Sequence, residues 1–238
     1  MKLARLAALA GIAALALAAA PPARRGLPPP AAKTHSWLQT VAVTPSGSHV
    51  VGNPQADVKL VEFASYTCSH CANFERQGAD ALLVGYVDPG KVSFEVRHLL
   101  RDPVDMTVAL LTNCGDPKRF FGNHTVFLRR QDRWIATMEK AGPGMRQRWS
   151  SGEFATRMRA IASDLGFYPM MIARGYDRPT IDRCLADQGK ARQLAEMTQA
   201  AIDSGVGGTP SFTIDGTLSD IHEWAPLERA LRNKLRGS

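Results

Sequence analysis

The chain opens on two positive residues, Lys2 and Arg5. An uncharged apolar run from Leu6 to Ala20 follows and closes on Ala18-Ala19-Ala20. A basic start, an apolar stretch and small residues at its end predict a secretory signal peptide over 1–20, cleaved near Ala20. The run is shorter than the roughly 20 apolar residues a membrane-spanning helix needs. Prolines follow it, and no cysteine stands after it to carry a lipid. Segment 21–35, with Pro21, Pro22, Pro28, Pro29 and Pro30, predicts an extended, disordered spacer.

Ordered patterning begins near Trp37. Segments 37–43 and His49–Val51 read as short strands, and Val58–Ala64 as a stronger one, rich in β-branched and aromatic residues. Beyond Cys71, the residues Phe74, Gly78 and Leu82 share one face of a predicted helix. Asp88-Pro89-Gly90 is a turn. Segment 91–97 alternates, with Val92, Phe94 and Val96 on one side, and predicts a half-buried strand. Strand, helix and strand in this order form a βαβ unit.

From Asp102 the pattern turns helical. Asp102-Pro103 offers a capping side chain and then a proline in the first turn, and Val104, Val108 and Leu111 form an apolar face. Further helical segments are predicted over 118–141, 153–165 and 179–186, punctuated by Gly166, Gly175 and Gly189, and a long helix over 190–204. The chain then returns to sheet through Gly208-Thr209-Pro210 into Ser211–Ile214. Asp215-Gly216 makes a hairpin turn, a short strand covers 217–221, and an amphipathic helix closes 223–235 with Leu227, Ala230, Leu231 and Leu235 inward.

The formal net charge of +7 becomes +5 once Lys2 and Arg5 leave with the signal peptide. That excess is spread along the chain. Nucleic-acid binders carry a clustered basic stripe, so no nucleic-acid partner is expected; the charge serves solubility, with a weak preference for acidic partners or anionic lipid. About 218 residues remain, enough for one core carrying a large insertion. The four cysteines, Cys68, Cys71, Cys114 and Cys184, sit in a chain bound for an oxidising compartment, where disulfides persist. Three pairings are possible.

Cys68-Ser69-His70-Cys71 lies between a strand and a helix. Unpaired N–H groups and the helix dipole favour negative charge at the first turn, so a Cys68 thiolate is stabilised and its pKa drops. His70 lowers it further by donating a hydrogen bond or carrying positive charge. Cys71, one turn along and more buried, can close a disulfide with Cys68. A stabilised thiolate is a good leaving group and favours the dithiol form, as an oxidant requires. Two other readings compete. Half of a zinc site would want a second closely spaced pair, and Cys114 and Cys184 are too far apart to supply it, so no metal is expected. An inert structural disulfide fits poorly at a strand–helix junction.

These features resemble the DsbA-type family of periplasmic thiol:disulfide oxidoreductases within the thioredoxin superfamily. The resemblance rests on Glu62-Phe63 with Cys68-Ser69-His70-Cys71, on Gly208-Thr209-Pro210-Ser211-Phe212, and on the helical block between the two halves. It implies an α/β thioredoxin fold, a central mixed sheet flanked by helices, over 36–101 and 190–238, with an inserted helical domain over 102–189. It implies a cis-proline at Pro210 facing the cysteine pair, and Thr209 offering backbone groups to an extended substrate. Glu62 would assist proton transfer at the buried cysteine; read without the resemblance, it could equally be a solvated edge-strand residue. The dipeptide is Ser-His where the best-known oxidases have Pro-His, and Thr209 stands where those carry an aliphatic residue. Both departures bear on how strong an oxidant the pair is.

Cys114 and Cys184 both sit on apolar helix faces, as two buried thiols or, in an oxidising compartment, a structural bridge stapling the helical block; the bridge is the favoured reading. His98, with Arg97 and Arg101, reads as part of a solvated loop after the strand. His124, between Phe121 and Phe127 in a helix, reads as packed or half-exposed rather than as a ligand, Met170 and Met171 as core filler, and Trp134 and Trp149 as packed within the helical block. The expected activity is disulfide donation to reduced, unfolded exported proteins. It needs no cofactor, and the resemblance implies reoxidation by a quinone-linked membrane oxidase. An isomerase or reductase is the alternative; a peptide-binding holdase, using a surface near Met170, Met171 and Thr209, is the alternative from another class. Only the spacer precedes the fold, with no dimerisation domain, so a monomer is expected.

Overall fold

A computed structural model of the protein describes residues 36–237. The signal peptide and spacer expected over 1–35 lie outside the described residues. Trp37–Gln39 is a single 3-10 turn in place of the expected strand. The Thr40 N–H turns back to the Trp37 carbonyl at 3.1 Å, so extended backbone begins only at β1 (Val41–Val43), followed by β2 (His49–Val51) and β3 (Val58–Ala64). The helix after the cysteines is α1 (Ser69–Phe74), a π turn (Glu75–Ala79), α2 (Asp80–Leu82) and a second π turn (Leu83–Val87). Gly78 is needed in it: a Cβ there would lie 2.5 Å from the Trp224 ring.

Strand β4 (Val92–His98) follows. Asp102 then caps α3 (Pro103–Thr112), its Oδ1 accepting from the Val104 and Asp105 N–H groups at 2.8 and 2.9 Å. Pro103 sits where no donor is required. The helix expected over 118–141 divides into α4 (Phe120–Arg129) and α5 (Gln131–Glu139), because Arg130 leaves helical geometry. The chain continues through α6 (Pro143–Ser150), α7 (Phe154–Asp164), α8 (Phe167–Ala173), α9 (Arg178–Leu185) and α10 (Gln188–Asp203). Apolar periodicity did not predict α6 or α8. Only Trp149 is buried in α6, and α8 is seven residues long, starting after Gly166.

Strands β5 (Ser211–Ile214) and β6 (Thr217–Leu218) and helix α11 (Trp224–Arg236) complete the fold. The β5–β6 turn has positive φ at both Asp215 and Gly216, the geometry of a type I′ hairpin. The last strand stops short of the expected Ile221, whose N–H turns back to the Ser219 hydroxyl.

The strand order is β1-β2-β4-β3-β5-β6, with β3 and β4 parallel and every other pair antiparallel. β3 is therefore interior. Its register puts Leu60, Glu62 and Ala64 beside Phe94, Val96 and His98 on one side, and Glu62 beside Phe212 on the other. Because strand side chains alternate between faces, this face carries the main core, which takes in Phe74 of α1, Phe120 and Phe127 of α4, and Leu227 and Leu231 of α11. Val61 and Phe63 point the other way and pack with Ala201 and Val206 at the end of α10. The main core continues without a break into the helical block through Val108, Trp134, Ile161 and Phe167.

Trp134 and Trp149 are both buried there, as expected. Met171 is buried and Met170 partly so, as core filler requires; a holdase surface at Met171 is therefore not offered. His98 is corrected: it is the last residue of β4 and buried, not part of a solvated loop. Its ring packs against Tyr66 and Phe120.

Candidate active site at the Cys68–Cys71 pair

Strand β3 delivers the chain to a short loop, and Cys68 becomes the N-cap residue of α1 with an extended backbone. Both cysteines are buried and reduced; Cys71 is the more enclosed. The Cys68 thiol can donate to the Thr209 carbonyl at 3.1 Å, so residues 141 positions apart meet at the reacting sulfur. The Thr209–Pro210 peptide bond is cis. The Pro210 carbonyl accepts from His222 Nδ1 at 2.7 Å, and Ser211 Oγ donates to the Gly208 carbonyl at 2.8 Å.

The Cys68 pKa is lowered from 9.0 to about 5. The largest cause is hydrogen bonding from the Cys71 thiol; the Thr209 side chain and the backbone N–H groups of Cys71 and His70 add to it, while burial opposes it. His70 thus contributes through its backbone N–H, and its side chain is exposed. Cys71 is pushed well above 9.0, first by burial, then by its bond to Cys68 and the charge of Glu62. The two sulfurs are held in opposite protonation states, one a thiolate and one a thiol, as attack and leaving at a disulfide require.

Glu62 is 1 % exposed, and its Oε1 has no hydrogen-bond partner. Burial raises its pKa well above 4.5, with Glu75 and Cys68 adding to the rise, which favours its protonated form. It is an interior-strand residue, not a solvated edge glutamate.

No local pattern in the sequence points to the groups that hold the loop. Gln131, buried at the start of α5, donates to the carbonyls of Tyr66 and Cys68 at 2.6 and 2.9 Å. Asp105, buried in α3, accepts from Ser65 Oγ at 2.5 Å, Tyr66 N at 2.8 Å and Arg101 N at 3.1 Å. Thr67 Oγ1 donates to Asp102 Oδ2 at 2.7 Å. Three residues of the helical block therefore fix the backbone that presents Cys68. Of these, only Asp102 has a sequence signal, as a cap.

Cys114 and Cys184 form a disulfide across 70 positions, joining the end of α3 to α9. The Cys68–Cys71 pair is separate from it. His124 is buried, the packed one of its two expected placements, with Nδ1 3.0 Å from the Tyr66 hydroxyl.

The chain matches the family model described as thioredoxin over residues 44–233. It is similar to a crystal structure of a protein-disulfide isomerase from Novosphingobium aromaticivorans, with 52% identity, a TM-score of 0.76, and coverage of 79% of this chain and 97% of that one. The fold is shared with alpha-DsbA1 of Wolbachia pipientis at 19% identity and a TM-score of 0.64, covering 82% of this chain and 94% of that one. A Rickettsia typhi protein named as a protein-disulfide oxidoreductase is 26% identical over 188 residues, which cover 78% of this chain and 61% of that protein. The chain thus spans about 61% of that relative's length. With a family match over most of its length and a cysteine pair at the strand–helix junction of a DsbA-like fold, the chain belongs to the thioredoxin family.

Proposed function

We propose that this chain is an exported thiol:disulfide oxidoreductase that donates the Cys68–Cys71 disulfide to reduced, unfolded proteins in the periplasm. The observation that carries the reading is the split between the two sulfurs: Cys68 is lowered to about 5 and Cys71 raised. A substrate thiolate attacks Cys68 Sγ of the disulfide. The Cys68–Cys71 bond breaks, and Cys71 leaves with the electron pair. Glu62, whose protonated form burial favours and which is electrostatically coupled to both cysteines, supplies the proton that makes Cys71 a thiol. A second substrate thiolate attacks the substrate sulfur of the mixed disulfide, and Cys68 leaves as the stabilised thiolate. The substrate is oxidised by two electrons and the enzyme reduced by two. Thr209 and Pro210 border the exchanging sulfur and present backbone groups to the substrate. A quinone-linked membrane oxidase takes the electrons and restores the disulfide, acting on a monomer in which residues 102–189 form the inserted helical domain.

A second reading, isomerase or reductase, is favoured by the 52% identity to a protein-disulfide isomerase and by Thr209 ahead of the proline. The reduction potential of the Cys68–Cys71 pair, measured by equilibration with glutathione buffers, separates the two. A value near about −120 mV supports the oxidase, and one near about −270 mV supports the reductive reading. A pair that does not exchange with glutathione sinks both.

A further inference from the structure

The surface beside Cys68 carries its charge unevenly. Cys68, Ser69 and His70 border a cavity of ≈ 390 Å³ that is also lined by Arg101, Asp102 and Glu139. A second cavity, also ≈ 390 Å³, shares Arg101 and Asp102 with it and continues over Met106, Phe154, Met158 and Arg157. Because Arg101 and Asp102 line both, the two cavities adjoin as inner and outer halves of one trough, and the outer half is lined by the apolar side chains of Met106, Phe154 and Met158.

Asp102 keeps its charge, but both of its oxygens are already engaged within the fold. Its Oδ1 accepts from Val104 and Asp105 N–H, and its Oδ2 from Thr67 Oγ1. The two arginines are different. Arg101 has one hydrogen bond from its guanidinium, to the Thr67 carbonyl at 3.4 Å. Arg157 Nε is buried with no partner, and its guanidinium lies 6.0 Å from the centroid of the Phe154 ring. Among the described residues neither is paired with a carboxylate. A buried cationic donor without an acceptor is costly. A carboxylate is the acceptor that satisfies a guanidinium best, through two parallel charge-assisted bonds. Glu139 borders only the first cavity and Arg157 only the second, so the second sets two arginines against one carboxylate, Asp102, whose oxygens are already hydrogen-bonded, and is the one that suits an anion.

We propose that the trough is a substrate subsite for a carboxylate side chain: a polypeptide exchanging at Cys68 lays an acidic residue, a few positions from its cysteine, between Arg101 and Arg157. The apolar lining takes the stem of that residue and its neighbour. This deepens the exchange reading above and rests on it. It makes the enzyme selective among reduced polypeptides according to the charge near the reacting cysteine.

The test uses reduced two-cysteine peptides in which Glu, Gln or Lys is scanned through the positions flanking the first cysteine, with kcat/KM measured for the full-length enzyme. At one position Glu should exceed Gln by about tenfold, the ratio that roughly 1.4 kcal/mol of differential binding gives, and Lys should fall below Gln. In Arg157→Gln the Glu-to-Gln ratio should fall toward one, while Arg157→Lys, which keeps the charge, should retain part of it. Equal rates for Glu and Gln at every position overturn the subsite, as does a preference that survives in both Arg101→Gln and Arg157→Gln. Wild-type enzyme that does not exchange even with glutathione marks instead the failure of the exchange reading, and the subsite falls with it.

Discussion

Glu62 is a costly residue to keep. An acid at 1 % exposure with an unpartnered oxygen forgoes hydrogen bonds it would make in water, a penalty of about 1–3 kcal/mol. An apolar residue of similar volume removes that penalty and packs with Leu60 and Phe212 on the same face. Glu62→Leu should therefore raise the unfolding free energy by about 1–3 kcal/mol while slowing formation of the mixed disulfide roughly a hundredfold, the lower end of what a positioned acid–base group contributes. Stopped-flow exchange and urea unfolding on the same variant check both. A more stable variant with an unchanged exchange rate would remove Glu62 from the chemistry. Cys68 shows the opposite economy: one sulfur draws on a neighbouring thiol, a threonine side chain and two backbone N–H groups, each of which favours the thiolate.

At the scale of elements, the helical block is joined to the redox loop by hydrogen bonds and to itself by a covalent bond. Gln131 of α5 and Asp105 of α3 hold the Tyr66–Cys68 backbone, while Cys114–Cys184 ties α3 to α9. The bridge closes a loop of 70 positions. On the chain-entropy model such a cross-link is worth about 4 kcal/mol. The Cys114→Ser/Cys184→Ser double variant should lose about that much stability in denaturant unfolding, with the Cys68–Cys71 potential unchanged, because the two pairs are separate. A shifted potential would show that the bridge tunes the active pair through α3. The π turns on either side of α2 belong to this scale as well: Gly78 sits in the first, under the Trp224 ring.

Across the whole molecule, three histidines from three elements converge in the core: His49 of β2, His98 of β4 and His124 of α4. His49 stacks on Phe120 at 3.9 Å, and Phe120 also meets His98 and His124. Burial lowers all three, His49 to about 4 and His124 to about 3. The unfolded chain takes up protons on these groups once pH drops below 6.5, and the folded one does not until each lowered pKa is reached. Each histidine therefore costs stability as pH falls through that window. Asp105 acts the other way. Its pKa is raised to about 7, so its contribution is full below its ordinary value of 3.8 and is lost as pH rises toward 7. The difference between His49→Phe and wild type isolates one histidine from these opposing groups. That difference should grow in favour of the variant from pH 6.5 down to about 4, by about tenfold in the folding equilibrium per pH unit, and then level off. A difference independent of pH in urea titrations would mean that His49 is not held neutral.

The sequence alone was enough for what a few neighbouring residues decide. Alternation marked β3 and β4, the Asp102-Pro103 start set α3, Asp215-Gly216 made the hairpin, and a C-x-x-C between strand and helix placed Cys68 at a helix N-terminus. Each of these is a short-range matter of side-chain period, capping or turn geometry. The resemblance to DsbA-type proteins added Thr209–Pro210 and Glu62, which no local pattern could tie to a sulfur. Tertiary packing decided the rest. Gln131 meets the Cys68 carbonyl across 63 positions and Asp105 the Tyr66 amide across 39; a polar side chain's partner at that separation is set by how helices stack, not by its neighbours in sequence. His98 reads as solvated beside Arg97 and Arg101 until the register of β4 turns it into the core with Ala64. The lowered Cys68 pKa began as a helix-terminus effect in the sequence, but its largest cause is the Cys71 thiol, brought to it by one turn of α1 folded under the cis Thr209–Pro210 loop.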